Sequence, residues 1–291
     1  MKMSIKNPFF GILFALLVFS CLAPSCQSTP QKQYLYPGQQ TVLDLDSAHI
    51  WAREHRANPS AFAIEAQSFA DVKIYDNPEK TGTPINRARL SLGGGVGAGT
   101  VITEGGHLLT VRHLIDDSDA VSKYAKIVAD TEKKSPGKFI DAKVSTEYTL
   151  TNHAGKKFLA IKVFLGDNDL ALIQAKNPDK FPGRPVEISQ EKNLSDKMVV
   201  MYGTPLGIEG IGMPGIVARD KKETTDGGDY MYVIAPIVPG NSGGAVITLG
   251  DMKMVGVISA VAKKDGSFTS IALFIPNDII NKFLDKALPK Q

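Results

Sequence analysis

The sequence predicts an all-β fold, a barrel or sandwich of short strands, and three observations carry that reading. Beyond Asp71, short apolar runs alternate with clusters of Gly, Pro, Asn and Asp, the spacing of strands joined by turns rather than of strand–helix units. A clear helical stripe begins only at Asn277. The composition, 43% hydrophobic and 22% charged over 291 residues, belongs to a chain that buries a core and excludes the disordered class.

The chain opens with Lys2 and Lys6, then an apolar run from Phe9 to Phe19. That run is too short to span a bilayer but suits the apolar region of a signal peptide, predicted here over residues 1–26. Val18-Phe19-Ser20-Cys21 and Ala23-Pro24-Ser25-Cys26 each resemble a bacterial lipoprotein signal, in which the cysteine becomes the lipidated first residue of the mature protein. Lipidation at Cys21 or Cys26 would place the protein in the cell envelope, anchored to a membrane facing the periplasm. Plain secretion with cleavage near Ser25 is the alternative. Both cysteines lie in this leader, so the folded part must hold together by core packing without disulfides.

Residues 27–40 read as a flexible tether. From Thr41 to Phe69 the pattern suggests two short helices, one on each side of Asn58-Pro59-Ser60. Strand-like runs follow at Val72–Ile74, Thr100–Thr103, Leu108–Val111, Leu159–Phe164, Asp169–Gln174, Met198–Tyr202, Tyr230–Ile234, Ala245–Thr248 and Met254–Ala260. Lys123–Gly155 is the least regular stretch and reads as a long insertion; Lys221–Asp229 reads as a polar loop. From Asn277, residues Ile279, Ile280, Phe283, Leu284 and Ala287 share one helical face behind an Asn/Asp cap. Basic residues interleaved with aromatics are absent, so nothing indicates nucleic-acid binding.

The sharpest chemical signal is Pro239-Gly240-Asn241-Ser242-Gly243-Gly244. A serine hydroxyl is a weak nucleophile until a base takes its proton, and the oxyanion that forms needs fixed N–H donors nearby. Glycines around a serine let backbone N–H groups approach a substrate closely, although Gly-Asn-Ser-Gly also spells a tight turn. The segment satisfies G-x-S-x-G, but that α/β-hydrolase arrangement needs a histidine after the serine. The histidines are His49, His55, His107, His113 and His153, and all precede Ser242. His113 follows a strand–turn–strand pattern at the place where a catalytic loop would begin. His107 falls in the turn, where it reads as solvated. For the acid, Asp169 opens the run Leu170-Ala171-Leu172-Ile173, at the mouth of a buried strand where it could orient an imidazole. Asp167, Asp116 and Asp117 are its rivals.

These segments together resemble the trypsin-like, chymotrypsin-fold serine proteases, in their HtrA-like bacterial branch. The resemblance rests on Gly97-x-Gly99, Leu109-Thr110-x-x-His113, Asp169-Leu170-Ala171-Leu172, Tyr202-Gly203-Thr204-Pro205-Leu206-Gly207, Gly215-Ile216-Val217 and Gly240-Asn241-Ser242-Gly243-Gly244, in that order. It implies two six-stranded antiparallel β-barrels, one over 70–188 and one over 189–291, the second closed by the terminal helix. It implies a catalytic triad of His113, Asp169 and Ser242, and an oxyanion hole at Gly240, Asn241 and Ser242. Peptide substrates would pair as an added strand against Ser259, Ala260 and Val261, with Pro236 and Ile237 forming part of the primary pocket. It calls for no cofactor or metal, and it leaves a homo-oligomer open. The HtrA-like branch usually carries a PDZ domain after the protease, and none is expected within these residues. Asn241 stands where digestive proteases use an aspartate to bind a freshly cut N-terminus, so activation of that kind is not expected. The alternative from another class is a protease-fold protein that grips extended peptides with little or no hydrolysis.

Overall fold

The computed structural model describes residues 60–204, 211–225, 228–235, 237 and 239–288. The expected leader, the lipidation candidates Cys21 and Cys26, the tether and Pro236 lie outside the described residues. Among the described residues no helix is long and apolar enough to cross a membrane.

The first barrel closes through β1 (Ala61–Tyr75), β2 (Asn86–Val101), β3 (His107–Val111), β4 (Phe139–Thr151), β5 (Lys157–Leu165) and β6 (Leu170–Ala175), in the order β1-β2-β3-β6-β5-β4. A one-turn helix, α1 (Arg112–Ile115), follows β3, and α2 (Ser118–Lys134) precedes β4. The second barrel closes through β7 (Met198–Gly203), β8 (Ile211–Thr225), β9 (Gly228–Ile234), β10 (Ala245–Thr248), β11 (Met254–Lys264) and β12 (Ser267–Pro276), in the order β10-β11-β12-β9-β8-β7. Helix α3 (Asn277–Ala287) completes the described chain. Two six-stranded antiparallel barrels are thus the observed architecture.

The strand β1 corrects the helical reading of 61–69. Its burial alternates, with Phe62, Ile64, Ala66, Ser68, Ala70 and Val72 inward and Glu65, Asp71 and Lys73 exposed, the period of two expected of a strand with one covered face. Alanine, glutamate and glutamine give the segment helical propensity. Pairing along almost its whole length with β2 on one side and β4 on the other overrides that propensity. The stretch 123–155 is likewise less of an insertion than expected, because it supplies the barrel strand β4. The additional element is α2, whose Tyr124 packs with Ala70, Val72 and Ile140 in a small separate core.

The barrels are joined by apolar packing and by the connecting chain. Phe181, in the linker, stacks on Phe62 at 4.5 Å and meets Phe158 edge-on at 5.4 Å. At the other end of the chain, α3 returns to the first barrel, bringing Phe283 within 5.6 Å of Phe164. The expected Asn/Asp cap of α3 is not a cap. Asn277 is its first helical residue, and its buried amide donates to the carbonyls of Ser189 and Glu191, both at 2.8 Å. That locks the helix start onto the linker. The expected loop 221–229 is mostly a hairpin, since β8 runs to Thr225 and β9 starts at Gly228.

Candidate active site

His113 sits in α1, immediately past the buried strand β3. Leu114 and Ile115 are buried beneath it, and the Tyr148 hydroxyl donates to Ile115 O at 2.9 Å. Burial pushes that phenol up to about 12, which keeps it a donor. The imidazole itself stands at the surface, with its side chain 53% exposed against 14% for Asp169.

Asp169 meets His113 through both ring and main chain. Its Oδ2 lies 2.9 Å and its Oδ1 3.1 Å from Nδ1, and Oδ1 also accepts the His113 N–H at 2.9 Å. A hydrogen bond from Arg112 N to Asp169 O at 2.8 Å ties the two segments together. Burial alone would raise the Asp169 carboxyl; hydrogen bonds from His113 and Ser259, together with the imidazole's charge, outweigh it and hold the carboxyl below its ordinary value. A carboxylate accepting from Nδ1 fixes the ring proton there and leaves Nε2 as the basic nitrogen. Two of the rival acids are engaged elsewhere: Asp116 pairs with Arg112 at 3.0 Å and Asp117 with Lys162 at 3.1 Å. His107 is half-buried rather than solvated, bonds Thr103 Oγ1 at 2.8 Å, and burial lowers its titration. His153 is exposed in the β4–β5 turn.

Ser242 approaches from the second barrel. Its carbonyl accepts the Ala98 N–H at 2.7 Å, so the Ser242 backbone is pinned directly to β2. Gly243, with φ +87°, sits so close that an added Cβ would overlap the Ala98 carbonyl and the Thr110 hydroxyl; only glycine fits. Thr204, buried, lies 2.9 Å from Gly97 O and 3.0 Å from Gly240 O, bridging the barrels on the other side. Gly240 takes φ +102°. Among the described residues neither Gly240 N–H nor Ser242 N–H has an acceptor, whereas Gly243 N–H and Gly244 N–H bond Ile258 O and Asn241 O. Two free donors beside a serine are what an oxyanion requires. Asn241 is buried, with its amide toward Met213 Sδ at 3.7 Å.

The Ser242 hydroxyl does not engage the imidazole in this structure. It donates to Ser259 O at 3.1 Å. Ser259 lies at a register shift in β11, between Ile258 paired with Phe274 and Ala260 paired with Leu273. Such a bulge re-aims a side chain, and here the Ser259 hydroxyl donates to Asp169 Oδ2 at 2.6 Å. Sequence reasoning placed Ser259 only on the peptide-binding strand; nothing in its neighbours signals the carboxylate contact. The adjoining Ala260 is exposed and Val261 half-buried. Ile237 is buried in the core of the second barrel. No cluster of His, Cys, Asp and Glu able to hold a metal occurs among the described residues.

Comparison with known proteins agrees with this geometry. Residues 97–257 match the family model of the trypsin-like peptidase domain. The chain is 24% identical over 196 residues to a probable periplasmic serine endoprotease, DegP-like, of Brucella suis biovar 1, covering 67% of this chain and 33% of that protein. It is 27% identical over 194 residues to the similarly named protein of Rhizobium meliloti, covering 66% and 33%. It therefore spans about one third of the length of these relatives. Among solved structures, the HtrA-type protease AlgW with decapeptide matches with a TM-score of 0.52 at 18% identity, over 81% of this chain and 66% of that one. With the family model spanning more than half of its residues, the chain belongs to the trypsin-like peptidase family.

Proposed function

We propose that the chain is an exported serine endopeptidase of the bacterial cell envelope, with Ser242 as nucleophile, His113 as general base and acid, and Asp169 orienting it. The observation that carries this reading is the imidazole fixed through Nδ1 by Asp169, beside a serine flanked by two unengaged N–H donors. A turn about the Ser242 side chain moves Oγ from Ser259 O toward His113 Nε2. Oγ then bonds the substrate carbonyl carbon while its proton passes to Nε2, and the carbonyl oxygen becomes an oxyanion held by Gly240 and Ser242 N–H. Collapse breaks the C–N bond, the leaving amine takes the proton from Nε2, and water returned through the same imidazole frees the acyl group.

The extended β11 segment Ser259-Ala260-Val261 supports binding of peptide as an added strand. The run from Met231 to Ser242 contains no acid, so a buried cationic side chain would find no partner there. Cleavage after Val, Ala, Ile or Leu follows, with selectivity among them of only about 1–3 kcal/mol per methylene. A denatured protein and a peptide library, digested by wild type and Ser242→Ala, test the reading together. Cleavage lost in the variant supports it; equal cleavage by both, or dominant cleavage after charged residues, refutes the assignment or the pocket.

The relatives' names, probable periplasmic serine endoproteases, support export. Full-length protein made in a bacterium should fractionate with membranes, and the intact mass of its mature N-terminus should carry acyl chains on Cys21 or Cys26. An unmodified terminus beyond Cys26 would leave secretion without an anchor. A second reading, a peptide-gripping protein without turnover, draws on the Ser242 hydroxyl's bond to Ser259 O. Peptide binding with no hydrolysis by the wild type would favour it.

A further inference from the structure

We propose that Thr204 is a positioning residue for the oxyanion hole, holding the Gly240 carbonyl so that the N–H groups beside it face the substrate; the proposal rests on the serine endopeptidase reading. The Thr204 hydroxyl lies 2.9 Å from Gly97 O and 3.0 Å from Gly240 O. A threonine hydroxyl has one hydrogen to give, so the two carbonyls share it in a three-centre bond. One carbonyl belongs to β2 of the first barrel, the other to the turn that carries Ser242. Thr204 is 1% exposed, which leaves little room for water to take over either contact.

Gly240 needs such a hold. It sits at φ +102°, and without a Cβ its peptide planes turn more freely than those of other residues. Among the described residues no backbone N–H donates to Gly240 O. The rest of the turn is fixed by other means. A Cβ on Gly203 would overlap Asn241, and one on Gly244 would overlap Tyr202 O, so the end of β7 presses directly on this segment. Gly243 N–H and Gly244 N–H bond Ile258 O at 2.7 Å and Asn241 O at 2.9 Å. Gly240 is the part of the turn that these contacts leave unrestrained, and Thr204, the first residue after β7, reaches it.

Donors of an oxyanion hole contribute most when they are aimed before charge develops. Without the hydroxyl, two carbonyl oxygens converge on a buried spot that holds no hydrogen. Their repulsion turns Gly240 O away, and the N–H of the same residue loses its aim. Thr204→Val, which keeps the shape, should therefore lower kcat about threefold to tenfold, the equivalent of one ordinary hydrogen bond, with KM unchanged. Here kcat is counted per serine labelled to completion by a fluorophosphonate, so that misfolded chains do not enter. Thr204→Ser restores the donor and should stay within about twofold of wild type. Thr204→Cys, with a weak S–H donor, should fall between them, and it stands in should the valine variant not fold.

The pair Gly-Asn occurs once in the sequence, at Gly240-Asn241. Isotope labelling of glycine carbonyls and asparagine amide nitrogens therefore gives a single NMR signal from that peptide. Its carbonyl resonance should move upfield in Thr204→Val and return in Thr204→Ser. An unchanged kcat per labelled serine, an equal loss in Thr204→Ser, a loss confined to KM, or a Gly240 signal that stays put would overturn the proposal. The NMR arm needs no turnover, so a wild type that neither cleaves nor labels would refute the peptidase reading while the hold on Gly240 was still decided.

Discussion

The two barrels contribute to the site in different states of readiness. In the first, His113 and Asp169 are joined through ring and main chain, on segments tied by a backbone bond. In the second, Ser242 has its backbone pinned to β2 but its hydroxyl turned to Ser259 O. His113 and Asp169 are already held together, whereas the Ser242 hydroxyl bonds Ser259 O rather than the imidazole. Geometry that costs no reorganisation at the moment of reaction is worth most where charge develops. Under the proposed mechanism the imidazolium and the oxyanion are served in advance, and the hydroxyl must move.

The comparison can be broken most severely at the nucleophile. Ser242→Ala should reduce kcat by on the order of 10⁶ in a folded protein, as loss of a triad nucleophile does in the reference protease. Adding His113→Ala should cost little more, since the residues act as a unit; steady-state kinetics on the single and double variants checks both. On the preorganised side, Asp169→Asn should lower kcat by roughly 10⁴ through the wrong tautomer. Asparagine tolerates the left-handed backbone there, so the fold should survive. Gly243→Ala probes the barrel contact: overlap with Ala98 O and Thr110, on a left-handed backbone, should cost on the order of 2–4 kcal/mol in urea unfolding.

The smallest effect concerns pH. The folded Asp169 carboxyl lies below its unfolded value near 3.8. Its contribution to stability is therefore complete above that value and is lost as pH falls through the lower folded one. The stability difference between wild type and Asp169→Asn should stay level from pH 7 to 5 and shrink below about pH 4. Activity lost between those limits must then have a cause other than protonation of Asp169.

Much of the site was legible because each piece combines a chemical residue with a local pattern. Ser242 lies among glycines, His113 follows a strand, and Asp169 precedes one. The α3 stripe was legible for the same local reason. What escaped depends on partners distant in the chain. Residues 61–69 carry helical propensity and become strand through pairing with β2 and β4. β4 hides in a polar stretch because only alternate positions face a core. Ser259 reaches Asp169 across ninety positions, and Asn277 serves the linker rather than its own helix. No local spacing records such contacts.

The central claim, that the first barrel's prepared base activates the second barrel's serine, is tested most directly by a fluorophosphonate probe, which acylates only an activated serine. Intact mass and peptide mapping should show one adduct per wild-type chain, located at Ser242, with none in folded Ser242→Ala and little in His113→Ala. Folded wild type that fails to label, or that labels at another residue, would contradict the account.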